Sequence, residues 1–174
     1  MVSTRAAGPT SGHAAYEVVR RVTDPEMPML TLDDLGVLRG VEIGDDGRVV
    51  VRVTPTYSGC PAVATMRDDL VRSLHEAGFA DVHVELVLSP AWSSDWITAR
   101  GREALAEHGL SVPGPALRHD GPVPLTLAPV RRAVTCPRCG SASTEVSSEF
   151  GPTPCTALYR CQTCWEPFEH VKEI

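Results

Sequence analysis

Two Cys-x-x-Cys pairs, Cys136-Pro137-Arg138-Cys139 and Cys161-Gln162-Thr163-Cys164, stand 21 residues apart near the C-terminal end of the chain. A tight turn aims both thiolates of a pair at one point. Two such turns at the ends of short strands complete a tetrahedron around one Zn²⁺. Gly140, directly after the first pair, allows the positive φ that such a knuckle uses. The surrounding segment has few apolar residues, so a bound metal must supply much of its folding free energy. A thioredoxin-like redox pair would need one such motif in a βαβ context, not two. An iron–sulfur cluster or a single iron uses the same four thiolates, and spacing does not separate these from zinc.

Cys155 lies between the pairs. It reads either as a small buried apolar residue of the ribbon or as an alternative ligand. His170 reads as a surface residue. Arg131, Arg132 and Arg138 form a small basic cluster, but Glu145, Glu149, Glu166, Glu169 and Glu173 flank it. The 174-residue chain carries a net charge of −6, so no nucleic-acid partner is expected, because phosphate contacts need clustered cations. There is no apolar run long enough to span a membrane and no secretory signal pattern, so a cytoplasmic, reducing location is the default. In that setting six cysteines point to metal or thiol chemistry rather than disulfides.

The organisation follows from the same sequence. Residues 1–12 are small and polar and are expected to be disordered. Pro113, Pro115, Pro122, Pro124 and Pro129, with Gly114 and Gly121, mark residues 113–132 as an extended linker. Between these lies a domain at 13–112, and after them a ribbon at 133–174. In the first domain Ala15, Val18, Val19 and Val22 predict a helix over His13 to Thr23. Gly36 to Ile43 and Arg48 to Thr54 predict a hairpin around Gly44-Asp45-Asp46-Gly47. Pro61 predicts the first turn of a helix with a Val63, Met66, Leu70 and Leu74 stripe, ended by Gly78. Val82, Val84, Leu86 and Leu88 alternate as one face of a strand. A long helix is expected over Ser94 to His108, with Trp96, Ile97, Ala104 and Leu105 inward. The fold class is α+β: a small sheet packed with helices, followed by a C-terminal zinc-ribbon-like β module.

Cys60 is the second chemical focus. A cysteine at a helix N-terminus has its pKa lowered by the helix dipole and free N–H groups. Asp24 and Glu26 sit in a proline-ridged loop, and Thr54 and Thr56 end the strand that leads to Cys60. If loop and strand end converge, a thiolate, two hydroxyls and two carboxylates meet. Such a set can hold a metal ion transiently. No histidine base lies nearby in sequence, and His75 and His83 read as surface or packing residues. There is no Gly-rich phosphate loop or nucleophile elbow, so no motif supports an independent catalytic activity.

Asp24-Pro25-Glu26-x-Pro28, Asp34-Leu35-Gly36-Val37 and Thr54-x-Thr56-x-x-x-Cys60-Pro61 resemble the signature of the SufT-like metal–sulfur cluster biosynthesis domain. The segment Ser89-Pro90-Ala91-Trp92-Ser93-Ser94-Asp95-Trp96-Ile97 and the cysteine-bearing tail resemble the PaaD subgroup. These are small proteins encoded with the phenylacetyl-CoA 1,2-epoxidase of aerobic phenylacetate degradation. The resemblance implies an accessory role: helping to install iron or an iron–sulfur cluster in a partner. The partners it implies are the oxygenase or reductase subunits of the epoxidase, or cluster-assembly proteins. It carries Asp24, Glu26, Thr54, Thr56 and Cys60 onto the family's pocket, and Cys136, Cys139, Cys161 and Cys164 onto the tail's metal ligands. The alternative is a stable structural or electron-transfer subunit of the oxygenase, with iron in the tail. A homodimer through an exposed sheet edge is compatible with a domain of this kind.

Overall fold

The computed structural model describes residues 12–116 and 134–174, which form two compact units dividing between Trp92 and Ser93. Residues 1–11 of the segment expected to be disordered and most of the expected linker at 113–132, with Arg131 and Arg132, lie outside the described residues, while Gly12 is the first residue of a helix.

The first unit runs α1 (Gly12–Val19), β1 (Leu38–Ile43), β2 (Val49–Val53), α2 (Val63–Glu76) and β3 (Val82–Leu86). The sheet order is β1-β2-β3, antiparallel between β1 and β2 and parallel between β2 and β3. Helix α2 is therefore the crossover of a βαβ unit. The hairpin forms where Gly47 takes φ 82°, and Gly78 takes φ 94° just past α2. Val49, Val51 and Val53 point to one side of β2 and meet Met66, Leu70 and Leu74 of α2 and Ala15 and Val19 of α1 in the core. Leu30, Leu32, Leu35 and Val37 close that core from the loop before β1. Trp92 seals the unit, its indole N–H donating to the Leu35 carbonyl at 2.8 Å.

Three local expectations are corrected. Helix α1 stops at Val19, because Thr23 turns away to bridge with Thr31 and the Asp24 amide bonds the Leu30 carbonyl. Helix α2 starts at Val63, so Pro61 lies in the turn before it. The alternating face of β3 is not buried: Val84 is, but Leu86 is 49% and Leu88 58% exposed, because β3 is an edge strand.

The second unit contains a one-turn 3-10 helix at Ser94–Trp96, α3 (Ala99–Glu107) and the antiparallel ribbon β4 (Thr144–Ser148), β5 (Thr156–Cys161) and β6 (Pro167–Val171). The single helix expected over Ser94 to His108 is broken because Ile97 is extended and Thr98 caps α3, its hydroxyl accepting from the Gly101 amide. That helix was expected in the first domain; its hydrogen bonds instead tie it to the ribbon's unit. The Arg102 guanidinium donates to the Ser94 and Pro113 carbonyls, and Ser94 bonds the backbone of Ile174. The start of the expected linker is tied down too. The Gly114 amide donates to Glu173, and Ser111 adds a parallel bridge to β6. His170 is likewise corrected from surface to core. It is 4% exposed, with Nδ1 3.2 Å from the Ser111 hydroxyl and Nε2 3.3 Å from Glu173. Among the described residues, no helix is long and apolar enough to cross a membrane.

Candidate metal centres

The ribbon brings Cys136, Cys139, Cys161 and Cys164 together, with all four sulfurs within 4.8 Å of one another. Cys136 and Cys164 sulfurs stand 3.8 Å apart, and those of Cys139 and Cys161 3.6 Å. A tetrahedron with metal–sulfur bonds of about 2.3 Å has edges of about 3.8 Å. The donor set thus fits one tetrahedrally coordinated ion.

The two knuckles use one backbone design. The Gly140 amide donates to the Cys136 carbonyl, and the Trp165 amide to the Cys161 carbonyl. Both Gly140 and Trp165 take positive φ, 72° and 64°. Glycine does this freely, whereas Trp165 costs roughly 1–2 kcal/mol. Its ring lies under the Arg160 guanidinium at 5.2 Å. Amides of Cys164 and Thr163 point at the Cys161 sulfur and hold its thiol down to about 6. Cys164 receives a thiolate-favouring amide from Glu166. Burial and the sulfurs of Cys139, Cys161 and Cys136 nonetheless push it up to about 12. Four thiolates so close repel one another unless a cation joins them. Val134, Cys136, Cys161 and Phe168 form the buried cluster around this point. Cys155 is buried, with its sulfur 3.1 Å from the Thr153 hydroxyl, and is outside the four-sulfur group.

The residues expected around Cys60 lie on three separate segments, and of them Glu26 and Asp24 are close enough for their charges to act on the thiol. Asp24 is 3% exposed, and its Oδ1 accepts the amides of Glu26 and Met27, both at 2.8 Å. That Asx turn is why the proline-ridged loop has one shape. Thr54 follows β2, buried, and its hydroxyl has no hydrogen-bond partner among the described residues. Thr56 is buried next to it. Cys60 closes the turn into α2, its amide donating to the Tyr57 carbonyl at 3.2 Å. Thr54, Thr56 and Cys60 follow the C-terminal end of β2, the end at which βαβ units present ligand sites.

The expected lowering of the Cys60 pKa is corrected. Burial pushes the thiol up, and the nearby charges of Glu26 and Asp24 push it further. The Ala62 amide and the Tyr57 phenol oppose them and do not win. The reason is position: Cys60 precedes Ala62, the N-cap, and sits outside the first turn where the dipole acts. Asp24 is raised by burial against its two amide bonds, and Glu26 by burial and then by Asp24. The fields of both carboxylates therefore reach the thiol. Sequence reading missed Tyr57, whose only signal was its place three residues before Cys60 in a Thr-Tyr-Ser-Gly turn.

Comparison with known proteins matches both regions. Residues 13–86 fit the iron–sulfur cluster assembly protein family, and residues 120–172 the PaaD zinc beta ribbon domain. The chain is 42% identical over 166 residues to a subunit of the "Putative 1,2-phenylacetyl-CoA epoxidase" of Escherichia coli (strain K12), covering 95% of each. It is 32% identical over 85 residues to the Fe-S protein maturation auxiliary factor SufT of Staphylococcus aureus (strain USA300), covering 48% of this chain and 96% of that one. A crystal structure of a domain of unknown function from Bacillus anthracis shares the fold, with a TM-score of 0.50 at 24% identity over 54% of this chain and 90% of that one. With both domains matched in order and near-complete coverage of the Escherichia coli relative, the chain belongs to the PaaD family, an iron–sulfur assembly domain joined to a zinc β-ribbon.

Proposed function

We propose that this chain is an accessory maturation factor of a phenylacetyl-CoA epoxidase system, and that Cys60 handles iron or an iron–sulfur cluster in transit. The observation that carries this is the setting of Cys60: one buried thiol in the fields of Glu26 and Asp24, in the turn that follows the strand end bearing Thr54, whose buried hydroxyl has no partner among the described residues. The names of the relatives support the setting, one an epoxidase subunit and others Fe-S protein maturation factors. The cargo is the substrate. Cys60 gives up its Sγ proton as the cation arrives, because a metal ligand must be the thiolate. Asp24 Oδ1 holds the loop amides, which leaves Oδ2 for the cation. Glu26, at the exposed rim, adds negative charge, and Thr54 and Thr56 offer hydroxyl oxygens. A single thiol with hard oxygen donors binds iron loosely enough to release it.

The four sulfurs of the ribbon hold zinc in this proposal and keep that module folded. The receiving partner is an oxygenase or reductase subunit of the epoxidase, or a cluster-assembly protein. The experiment is co-expression of the epoxidase components with this chain or with Cys60→Ser, followed by iron analysis of the purified components. The proposal expects iron loading to collapse with the variant. Full loading with Cys60→Ser would overturn it. A stable electron-transfer subunit would instead co-purify stoichiometrically and carry visible absorbance from the tail.

A further inference from the structure

The two sheets have four edges, and three of them are blunted. The β1 edge carries a bulge between Leu38 and Gly40, and the β4 edge one between Val146 and Ser148. The β6 edge is covered by Ser111, whose amide donates to the Glu169 carbonyl and whose carbonyl accepts from Val171. Bulges and covering segments are the usual ways to stop an edge from pairing with another chain. Among the described residues, the β3 edge has neither. Its pairing with β2 is regular over Val82–Leu86, it contains no Lys or Pro, and Leu86 and Leu88 are exposed.

The direction of the free groups follows from the bonds to β2. The Val87 amide donates to Val53, and the Asp81 carbonyl accepts from Val49. Odd-numbered residues of β3 thus face β2, and the N–H and C=O of Val82, Val84 and Leu86 face the open edge.

We propose that a second copy of this chain pairs along β3, antiparallel and centred on Val84. In that register Val84 faces Val84 of the second copy, and Val82 faces its Leu86, all as hydrogen-bonded pairs. His83 then faces Glu85 of the second copy as the closer, non-hydrogen-bonded pair, and Leu88 faces Ala80. The strand is self-complementary in charge and in apolar contact only there. Centring on Glu85 sets two carboxylates opposite each other, and centring on His83 sets Asp81 opposite Glu85, both unfavourable. Centring on Leu86 runs Val82 against Pro90, which has no N–H to give. Centring on Val82 leaves Leu86 unpaired. Glu85 is already held by Arg52 at 3.1 Å, and Arg52 by Glu42, so a ring N–H of His83 of the second copy extends an existing chain of hydrogen bonds. The dyad puts the two Cys60 residues at opposite ends of a six-stranded sheet. The inference does not depend on what those residues carry.

The test is sedimentation equilibrium of the zinc-loaded full chain, with amide hydrogen exchange in parallel. The mass rises from 18.7 kDa to twice that, with a midpoint of about 10–100 µM for so small an interface. The amides of Val82, Val84 and Leu86 exchange more slowly as the dimer fills. His83→Glu raises the dissociation constant about tenfold, and adding Glu85→Lys restores it. Leu86→Lys leaves the 18.7 kDa species at all these concentrations. All three positions are exposed, so zinc content and circular dichroism stay as in the wild type. A chain that stays monomeric overturns the proposal. So does a dimer that ignores these variants, or one in which the three amides stay fast.

Discussion

The ribbon's four sulfurs and the pocket around Cys60 are both thiol sites, yet they are built in opposite ways. In the ribbon two identical turns put four sulfurs at tetrahedral spacing, and backbone amides favour the Cys161 thiolate. In the pocket one sulfur stands alone, and burial and carboxylates favour its thiol. A site of the first kind holds one ion permanently and is worth the fold of its module. A site of the second kind binds a cation only by exchanging a proton for it, so binding stays reversible. The proposed difference between resident metal and cargo thus rests on ligand count, four converging sulfurs against one.

The largest expected effect is on the resident site. A strong chelator removes a contribution of about 10–16 kcal/mol, comparable with a small domain's whole stability, and Cys161→Ser removes much of it. The ribbon unfolds while the first unit, with its own Leu and Val core, stays folded. Limited proteolysis with mass analysis reads this as a protected fragment from residues 12–92. Cleavage throughout both units would break the comparison.

Cys60→Ser comes next. Its expected cost in stability is under about 1 kcal/mol, since one sulfur is exchanged for oxygen in a site without regular packing. Its cost in partner iron loading is at least about tenfold, because the only soft donor of the pocket is gone. Thermal denaturation and iron analysis of the partner measure the two separately. Equal losses in both would make Cys60 a packing residue.

A pH series sharpens the contrast further. The Cys60 thiol is raised, so it is protonated at neutral pH and its proton competes with the cargo. Iron affinity at this site should rise by up to about tenfold per pH unit between roughly pH 6 and 8. An anaerobic titration of the wild type with ferrous iron tests that slope; a flat profile would mean that the thiol is not a ligand.

Smaller still is Asp24→Asn. Burial raises the Asp24 pKa, so the folded state holds its proton to higher pH than the unfolded state does. The native state is then penalised as pH climbs from the ordinary carboxylate range through the raised value. The amide keeps the oxygen that accepts from Glu26 and Met27 and drops the buried charge. The variant should melt higher than the wild type at pH 7, show no such advantage near pH 3.5, and load less iron. Melting curves at the two pH values check the sign.

What was legible in the sequence follows the same division. The tetrathiolate is local: each half lies within four residues, and spacing alone carries it. Helix α2 and the β1–β2 hairpin were equally plain, because Met66, Leu70 and Leu74 repeat at helical spacing and glycines mark the turn. The strand face at Leu86 and Leu88 was not legible, because periodicity does not say which strand ends at an edge. Nor was the place of α3. Its apolar pattern is that of any amphipathic helix, and its attachment is made by Arg102 reaching the Ser94 and Pro113 carbonyls. His170 looked exposed in a charged tail. Its burial needs Ser111, which lies 59 residues away. The direction of the Cys60 pKa failed for a short-range reason, since two residues decide whether a thiol lies in or before the first helical turn.

The most direct measurement is metal content by mass spectrometry on anaerobically purified wild type, Cys60→Ser and Cys161→Ser, before and after incubation with ferrous iron and gel filtration. The predicted result is one zinc per chain in the wild type and in Cys60→Ser, lost in Cys161→Ser. Added iron should be retained by the wild type and not by Cys60→Ser. Iron retained in Cys60→Ser and lost with Cys161→Ser would place the cargo in the ribbon and contradict the division between resident and transient sites.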